Sequence, residues 1–494
     1  MATPFKEASV EEINQIMQRS HAAFEIFQKR SIEEKSIFLD TIANEIEALG
    51  DALLQKASEE TNLPIPRLTG ERARTTGQLR TFATMLRKGS WVEASIDTAN
   101  PERAPLPKPD LRKMLIPLGP VVVFGASNFP FAYSTAGGDT ASALAAGCSV
   151  VVKAHPAHAE TSEMVYSAIK KAIATCNMPA DIFQHVHGTS FESGKALVQA
   201  DHTAAVGFTG STGGGKALYD YSTQRKNPIP VFSEMGSTNP VIFLPDTLEK
   251  NTADLAAQYA GSITLGMGQF CTNPGLMLAV ESQALHRFLE HLGTGIAAVQ
   301  PAKMLHAGIH SAYEKKSHDA LTQKGVTVVQ QATTGAHDIE ALPTVALVSG
   351  ETFLATPLLH EEVFGPYSLM VSCKDEQELV NVLKSVTGQL TTTVMGTVKD
   401  LTDHPKLVDL LPSIAGRILF NGVPTGVEVC ASMVHGGPYP ATTDSRFTAV
   451  GINAVKRWVR PVCYQNWPDS LLPLALQDAN PLQIWRLVDN EWKK

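Results

Sequence analysis

The pattern of apolar and polar positions divides the chain into a helical region followed by alternating elements. Between residues 10 and 90, apolar residues such as Ile13, Met17 and Phe24 recur at helical spacing beside charged positions. This periodicity predicts a helical entry region. Ser9 and Glu12 have the spacing of a capping box, which predicts where the first helix begins.

Short apolar runs alternate with helical stretches from about residue 119 to residue 234. The runs "GPVVVFGASNFPF" and "SVVVKAHP" flank a helical segment of small residues, and "DIFQHVH" and "AAVGFTGS" each follow a further helical stretch. This alternation predicts a doubly wound parallel sheet, which binds ligands beyond the carboxyl ends of its strands. A second alternation, up to about residue 430, predicts another α/β domain.

Composition and charge indicate an ordinary globular protein. The chain has 494 residues, 44% hydrophobic and 18% charged, which is enough for a large core in two or three domains. Its formal charge of -8 is spread along the chain without a basic block, so nucleic acid is not an expected partner. The first residues lack a basic region followed by an apolar run. We therefore expect a cytoplasmic protein without a membrane span.

The six cysteines lack the C-x-x-C spacing of a zinc site. This spacing predicts unpaired thiols in a reducing compartment, and no metal is expected at the site.

The glycine-rich stretch "FTGSTGGGKALYD", residues 208–220, admits three interpretations. Gly210, Gly215 and Lys216 have the spacing of a P-loop, which would indicate a nucleotide triphosphatase. The next residue is Ala217, where magnesium binding requires a hydroxyl group, so this interpretation is disfavoured. The stretch can also be a diphosphate site at the start of a helix, or a purely structural turn.

Four segments in a fixed order resemble the aldehyde dehydrogenase superfamily. They are "FTGST", "EMGSTNP", "GQFCTNPG" and "EEVFGP", and the resemblance runs from roughly residue 10 to residue 473. "SNFPF", "VVVK" and "NGVPTGVEV" also fall where that family places an asparagine, a lysine and a late catalytic-domain loop. The resemblance implies oxidation of an aldehyde to a carboxylic acid with NADP or NAD.

The resemblance also implies a domain organisation for this α/β protein. We expect a Rossmann-like cofactor domain in residues 1–90 and 119–234, and a catalytic α/β domain in residues 235–456. Residues 91–118 and 457–473 would form an oligomerisation arm, with a C-terminal tail in residues 474–494. The prolines of "NPERAPLPKP" suit an extended arm, and a homodimer or homotetramer is expected.

Three residues are predicted to carry the chemistry. An aldehyde becomes a good hydride donor once a nucleophile has made its carbon tetrahedral, and Cys271 in "GQFCTN" is the candidate thiolate. The resemblance assigns the oxyanion donors to the side chain of Asn128 and the backbone N–H of Cys271. Glu234 matches the general base that activates water to hydrolyse the thioester. Its presence favours a free acid as the product.

The resemblance places five residues against the cofactor. Lys153 would contact the adenosine ribose, Gly210 and Ser211 the diphosphate, and Glu362 the nicotinamide ribose, with Phe364 of the same segment beside it.

Pro156 bears on the choice of cofactor. It stands where NAD-selective members often have a carboxylate that binds the ribose 2′-hydroxyl. We therefore expect NADP to be accepted, alone or alongside NAD. His155 and His158 either assist a phosphate, bind metal or are satisfied by local groups.

The carboxy-terminal segment from "VHGGPYP" to "NWPDSLLP" resembles the subgroup that oxidises α-ketoglutaric semialdehyde to α-ketoglutarate. A neighbouring subgroup oxidises long-chain fatty aldehydes with NADP and shares the "KAHPAH"-like segment, so it stays an alternative. A non-redox nucleotide-binding protein is an alternative of another class. An anionic substrate needs a cationic anchor, for which Arg72 in "ERARTTGQLR" is the candidate unless that helix face is merely solvated.

Overall fold

The computed structural model describes residues 5–332 and 337–494. Its α-helices are α1 (Val10–Phe27), α2 (Ile32–Ala48), α3 (Gly50–Thr61), α4 (Ile65–Lys88), α5 (Gly138–Ala146), α6 (Ala159–Thr175), α7 (Phe191–Gln199), α8 (Thr212–Thr223), α9 (Pro245–Lys250), α10 (Thr252–Thr264), α11 (Gln283–Ala297), α12 (Ala307–Leu321), α13 (Gly350–Ala355), α14 (Glu376–Ser385), α15 (Val398–Asp403), α16 (Pro405–Val408) and α17 (Leu411–Ile414).

The strands are β1 (Ser95–Asp97), β2 (Leu111–Pro117), β3 (Val121–Phe124), β4 (Val150–Lys153), β5 (Phe183–Val186), β6 (Ala205–Thr209), β7 (Val231–Glu234), β8 (Val241–Phe243), β9 (Leu276–Val280), β10 (Ala302–Lys303), β11 (Thr327–Gln331), β12 (Glu340–Ala341), β13 (Thr344–Ser349), β14 (Tyr367–Cys373), β15 (Gln389–Met395), β16 (Ala415–Phe420), β17 (Val459–Gln465), β18 (Arg486–Val488) and β19 (Glu491–Lys493). Short 3₁₀ helices span Ser90–Val92, Pro156–His158, Leu265–Gly268, Pro357–His360, Ile452–Trp458, Asp469–Leu471 and Leu474–Leu476.

The entry region is helical, as its periodicity predicts. Helix α1 begins with the predicted capping box: the Ser9 hydroxyl accepts from the Glu12 backbone N–H at 3.2 Å, and the Glu12 carboxylate accepts from the Ser9 N–H at 2.7 Å. Ile13, Met17 and Phe27 are fully buried, so the apolar stripe of this helix faces the core.

The first sheet contains five parallel strands in the order β5-β4-β3-β6-β7. Helices cover both faces, which is why the valine runs of β3 and β4 are buried continuously rather than alternately. The predicted doubly wound parallel sheet is confirmed. Because the strands are parallel, their carboxyl ends share one edge, which carries Lys153 on β4, Thr209 on β6 and Glu234 on β7.

The second sheet has seven strands in the order β11-β13-β14-β9-β8-β15-β16, with β11 alone antiparallel to its neighbour. Cys271 lies in the loop that leads into β9 of this sheet.

A third sheet lies outside these two, in the order β17-β2-β1-β18-β19. Strand β2 pairs antiparallel with β17, from Leu111 opposite Gln465 to Pro117 opposite Val459. The last residues of the chain add β18 and β19 to the same sheet. Among the described residues, no helix has both the length and the apolar character required to cross a bilayer.

Candidate active site

Cys271, Glu234 and His435 converge from three separate parts of the chain. Cys271 follows the 3₁₀ helix Leu265–Gly268, Glu234 ends β7, and His435 lies in the long loop after β16. His435 Nε2 lies 3.5 Å from Cys271 Sγ and 3.1 Å from Glu234 Oε1. The thiol, imidazole and carboxylate atoms all lie within 4.8 Å of one another. They therefore form one cluster in which a proton can move between neighbours.

The surroundings of the cluster set its ionisation. Burial, and secondly the charge of Glu234, raises the pKa of the Cys271 thiol well above its ordinary value. Burial also acts to raise the pKa of Glu234, but the charge and hydrogen bond of His435, together with a hydrogen bond from Cys271 and the charge of Arg457, outweigh it and leave this pKa below its ordinary value. The cluster thus holds a carboxylate and a protonated thiol, which a neighbouring base must deprotonate before it can attack.

Glu234 has one engaged and one free oxygen. Its side chain is 4% exposed, and Oε1 is bound by His435. Oε2 is buried without a hydrogen-bond partner among the described residues. A buried carboxylate oxygen that lacks a protein donor is a place where a water molecule can bind.

Sequence reasoning missed His435. The loop fixes this residue through its backbone: its N–H donates to Thr448 Oγ1 at 2.9 Å, and its carbonyl accepts from the Ala449 N–H at 2.9 Å. His435 lies far from Cys271 along the chain, so no sequence motif links the two residues. The available signal was its place in "VHGGPYP", where the carboxy-terminal segment departs from the common family pattern.

A buried polar network holds the backbone of the nucleophile. Asn239 Nδ2 donates to the carbonyls of Cys271 and Asn273, each at 2.9 Å. Gln389 Oε1, at the start of β15, accepts from four donors in residues 237–239 at 2.7–3.1 Å. Asn239 and Gln389 are both buried, so the loss of either side chain would leave several buried polar groups without hydrogen-bond partners. Neither residue belonged to the predicted site.

Close backbone contact joins the cysteine loop to the "EEVFGP" segment. Gly268 has a φ of +61°, and a β-carbon there would lie 2.1 Å from the Gly365 carbonyl oxygen. Asn273 Nδ2 donates to that same oxygen at 3.2 Å. Met267 also has a positive φ of 54°, which is strained for a residue with a side chain. The strain lies in the loop that leads to Cys271, four positions before it.

Asn128 lies beside the same loop. Its Nδ2 donates to the carbonyl of Gln269 at 3.2 Å, two residues before Cys271. Its own backbone carbonyl accepts from Arg67 at 2.6 Å. Asn128 is thus held near the nucleophile, and its contact with an oxyanion stays a prediction.

The residues predicted to contact the adenosine ribose and the diphosphate lie along the carboxyl edge of the first sheet. Lys153 ends β4 and is half-buried, and burial lowers its pKa. The backbone N–H of Gly210 donates to the Glu234 carbonyl at 3.0 Å. Ser211 caps α8 and accepts from the Gly214 N–H at 3.2 Å. These positions form a line from Lys153 to the catalytic cluster, with an exposed helix start between them.

Lys216 does not point to a phosphate cradle. Its ammonium group lies 2.7 Å from the Asp220 carboxylate, one helical turn further along α8, and both side chains are about half exposed. This is the solvated pairing typical of a helix surface.

Glu362 and Phe364 line a cavity together with Ser237 and Phe270. A β-carbon on Gly236 would lie 2.7 Å from Glu362 Oε2, so a larger residue here would displace the end of the Glu362 side chain. Burial raises the pKa of Glu362 to about 7. A carboxylate acceptor beside an aromatic ring fits the ribose and ring of a nicotinamide riboside.

Pro156 begins a 3₁₀ turn, and the His155 ring caps it by accepting from the Ala157 N–H at 3.1 Å. His158 is fully buried: its Nε2 lies 2.8 Å from the Ala126 carbonyl and its Nδ1 3.2 Å from Ser162 Oγ. Local groups therefore occupy both ring nitrogens of His158.

Arg72 does not lie at the predicted substrate site. Its Nη1 donates to the Gly50 carbonyl at 2.7 Å, at the junction of α2 and α3. Arg67 and Arg74, seven positions apart on α4, share the other face. Arg72 is five positions after Arg67, which places it about 140° further around the helix. The prediction that Arg72 anchors the substrate therefore needs correction.

Arg67 and Arg74 face an aromatic wall next to the nucleophile. The Arg67 guanidinium carbon lies 5.0 Å from the Phe129 ring centre and 4.9 Å from that of Phe270, the residue before Cys271. Arg74 lies 5.4 Å from the ring centre of Tyr133, and its Nη2 lies 3.3 Å from the phenol oxygen. Arg67 Nη1 and Arg74 Nε are buried without an acceptor in the described part of the chain.

Comparison with known proteins gives concordant results. Residues 2–437 match the aldehyde dehydrogenase family. An α-ketoglutaric semialdehyde dehydrogenase 2 from Azospirillum brasilense is 47% identical over 490 residues, covering 99% of this chain and 93% of the relative. An α-ketoglutaric semialdehyde dehydrogenase from Acinetobacter baylyi is 45% identical over 486 residues, covering 98% and 92%.

A solved structure shares the fold. Betaine aldehyde dehydrogenase from Staphylococcus aureus, in complex with NAD+, superimposes with a TM-score of 0.78 at 18% identity, covering 93% of this chain and 88% of the other.

Proposed function

Because the chain belongs to the aldehyde dehydrogenase family, we propose that its substrate is α-ketoglutaric semialdehyde (2,5-dioxopentanoate), which it oxidises to α-ketoglutarate. The chain is an NAD(P)-dependent aldehyde dehydrogenase, as its motifs predict. The non-redox alternative is therefore set aside. The names of the two relatives support this substrate, and the side chains around Cys271 supply an independent argument.

The observation that carries the substrate proposal is the pair of arginines on α4. Among the residues that the structure describes, Arg67 and Arg74 each retain a buried N–H group without an acceptor, beside Phe270, the residue before Cys271, and Tyr133. The buried Glu71 carboxyl group already interacts electrostatically with both arginines, and a substrate carboxylate would accept hydrogen bonds from their remaining N–H groups. The alkyl chain of a fatty aldehyde would leave them unpaired, which is costly in a buried site. We therefore move the proposed anchor from Arg72 to this pair.

Nucleophilic attack begins with the thiol of Cys271. His435 Nε2 contacts both the thiol and Glu234, so a neutral imidazole with its hydrogen on Nδ1 can take the thiol proton on Nε2. The imidazolium that forms then donates this hydrogen to the Glu234 carboxylate, which stabilises its charge. The thiolate then adds to the aldehyde carbon and gives a thiohemiacetal. The second hydrogen of Asn128 Nδ2 and the backbone N–H of Cys271 are the proposed oxyanion donors.

Bound NAD(P) supplies the hydride acceptor for the oxidation. We propose that Lys153, Gly210 and Ser211 hold its adenosine and diphosphate groups along the edge of the first sheet. Glu362 and Phe364 would hold the nicotinamide riboside in the cavity beside the cysteine loop.

The position of Pro156 supports NADP, alone or alongside NAD. No carboxylate stands there to repel a 2′-phosphate.

Hydrolysis then releases the acid. Glu234 Oε2 is free to bind a water molecule and to accept its proton as the oxygen attacks the thioester carbon of Cys271. The carbon–sulfur bond breaks, and the sulfur leaves as a thiolate that is protonated again within the cluster. Glu234 therefore has two proposed roles: Oε1 orients His435, and Oε2 binds the water molecule and accepts its proton.

We further propose that the protein is a cytoplasmic homodimer or homotetramer, with the domain limits predicted from the sequence. Strand β16 is the edge of the second sheet, and its alternate residues Ile418 and Phe420 are 46% and 47% exposed. An exposed strand edge with apolar side chains favours pairing with a second copy of the chain. The unpaired state of all six cysteines supports a reducing compartment.

A panel of substrates tests the proposed function. The rate of reduced-nicotinamide formation is measured with 2,5-dioxopentanoate, a long-chain fatty aldehyde and propanal, each with NAD and with NADP. We expect the highest kcat/KM for 2,5-dioxopentanoate. A higher kcat/KM for the fatty aldehyde would leave the proposed chemistry unchanged but would contradict the proposed substrate.

A further inference from the structure

A second group of metal-binding side chains lies on the first sheet, at the edge opposite Glu234. His185 on β5 and His187 just after it are alternate residues of the strand, so their side chains lie on one side of it. Glu163 on α6 faces them. Its Oε2 lies 3.1 Å from His185 Nδ1 and 3.1 Å from His187 Nε2.

These three side chains are held in place before any ligand binds. The His185 ring stacks on Tyr166 with ring centres 5.1 Å apart, and the His187 ring stacks on Phe5 at 4.1 Å. The side chains of His185 and His187 are only 1% and 13% exposed, whereas that of Glu163 is 37% exposed. The geometry is therefore largely fixed while one ligand stays within reach of solvent.

The donor set and the spacing select a class of metal. In a tetrahedral site with metal–ligand distances of about 2.0–2.1 Å, ligand atoms lie about 3.3 Å apart, close to the spacing between Glu163 and each histidine. Two imidazoles and one carboxylate match Zn²⁺, Co²⁺ or Ni²⁺, whereas Ca²⁺ and Mg²⁺ require mainly oxygen ligands.

Solvent can reach the group. A cleft between α1 and β5 is lined by Glu7, Glu12 and Arg19 together with His185 and His187. It can admit the ion and the water that completes the coordination.

We propose that Glu163, His185 and His187 bind one divalent transition-metal ion of the zinc class. The ion would link α6 to β5. The Ala8 N–H donates to the His187 carbonyl at 3.1 Å, so the ion would also fix the segment that leads into α1. The site is structural and stabilises the folded state by preferential binding. It is independent of the proposed substrate.

The test must separate this group from Glu234, Cys271 and His435, whose side chains also could hold a metal. The protein carrying Cys271→Ala is stripped with a chelator and titrated with Co²⁺, whose visible absorption reports tetrahedral coordination, and then with Zn²⁺ by calorimetry. Glu163→Gln and His187→Ala are compared in this background with His318→Ala, which alters an exposed histidine on α12.

We expect one ion per chain, and a rise in Tm on adding Zn²⁺. Glu163→Gln and His187→Ala should each weaken Kd at least about 100-fold, the upper end of the effect of losing a supporting partner of a metal ligand. His318→Ala should not change it. Circular dichroism of each variant establishes that it is folded.

Two results would overturn the proposal. One is the absence of Co²⁺ and Zn²⁺ binding in the Cys271→Ala protein. The other is equal affinity in Glu163→Gln, His187→Ala and His318→Ala, which would mean an adventitious ion only.

Discussion

The proposed proton chemistry of the site depends on a histidine that contacts both Cys271 and Glu234. His435 Nε2 contacts the Cys271 thiol and the Glu234 carboxylate, and the pKa of the thiol is raised well above its ordinary value. A cysteine in this state needs a neighbouring base in order to react at neutral pH.

His435→Gln should therefore slow formation of the thiolate. We expect kcat/KM to fall about 100-fold, the usual contribution of a positioned base, and the alkylation of Cys271 by iodoacetamide to shift to higher pH. Stopped-flow alkylation measures the second effect, with His318→Gln as the control on an exposed histidine. Alkylation that follows the same pH profile in both variants would show that His435 does not act on the thiol.

Glu234→Gln should separate oxidation from hydrolysis. Its Oε2 is the free buried oxygen proposed to bind water, so the amide should permit a burst of reduced cofactor and then stall at the thioester, with steady-state turnover reduced about 100-fold or more. Rapid mixing and intact mass measurement detect the burst and the acyl-enzyme. Cys271→Ala serves as the control that gives neither, and loss of turnover without a trapped thioester would contradict the assignment.

Cofactor affinity should depend on the ionisation of Glu362. Burial raises the pKa of this group to about 7, so the carboxylate form that accepts from ribose hydroxyls is present above that pH and is lost below it. We expect the KM for the cofactor to rise as pH falls from 8 to 6, and Glu362→Gln to flatten this dependence. An identical pH profile in the two proteins would refute the role of Glu362.

At the scale of elements, two buried side chains, Gln389 and Asn239, join three segments of the chain. Gln389 at the start of β15 accepts four hydrogen bonds from the segment after β7, and Asn239 of that segment holds the Cys271 carbonyl. The position of the nucleophile therefore depends on a residue of the second sheet.

Gln389→Leu removes the acceptor while keeping a similar volume. We expect the free energy of unfolding to fall by about 3 kcal/mol, because each buried donor left unpaired costs about 1–3 kcal/mol, and kcat to fall with it. Chemical denaturation measures the change. Gln377→Leu, at an exposed position on α14, is the matched control, and an equal effect of the two substitutions would contradict the network.

The sequence predicted the elements whose signals are local. The capping box of α1, the buried valine strands β3 and β4, and the helix start after Gly210 each follow from residues close together in the chain. The four ordered motifs also predicted the family.

The missed residues depend on contacts between distant segments. His435 and Gln389 reach the site only when the loop after β16 and the start of β15 pack against β7 and the cysteine loop. Arg72 was named as the anchor in "ERARTTGQLR" and Arg74 was not, because a charged helix shows its composition in sequence but not the direction of its faces. The packing of α4 against α2, α3 and α5 decides that direction.

At the scale of the whole molecule, the site lies where the two large sheets meet. Glu234 comes from the first sheet and Cys271 from the loop that leads into the second, while α4 of the entry region supplies the arginines. In the proposed function, separate parts of the chain therefore bind the substrate and carry out the chemistry. A change in the arginines should therefore alter the choice of substrate without removing catalysis.

The most direct measurement is kcat/KM for 2,5-dioxopentanoate relative to propanal in the unaltered protein, in Arg74→Gln and in Arg72→Gln. We predict a strong preference for the dicarbonyl acid that falls about 10- to 100-fold in Arg74→Gln, since a hydrogen bond to a charged group contributes about 1.5–3 kcal/mol. Arg72→Gln, on the same helix but bound to the Gly50 carbonyl, should keep the preference. No preference in the unaltered protein, or an equal loss in both variants, would contradict the account.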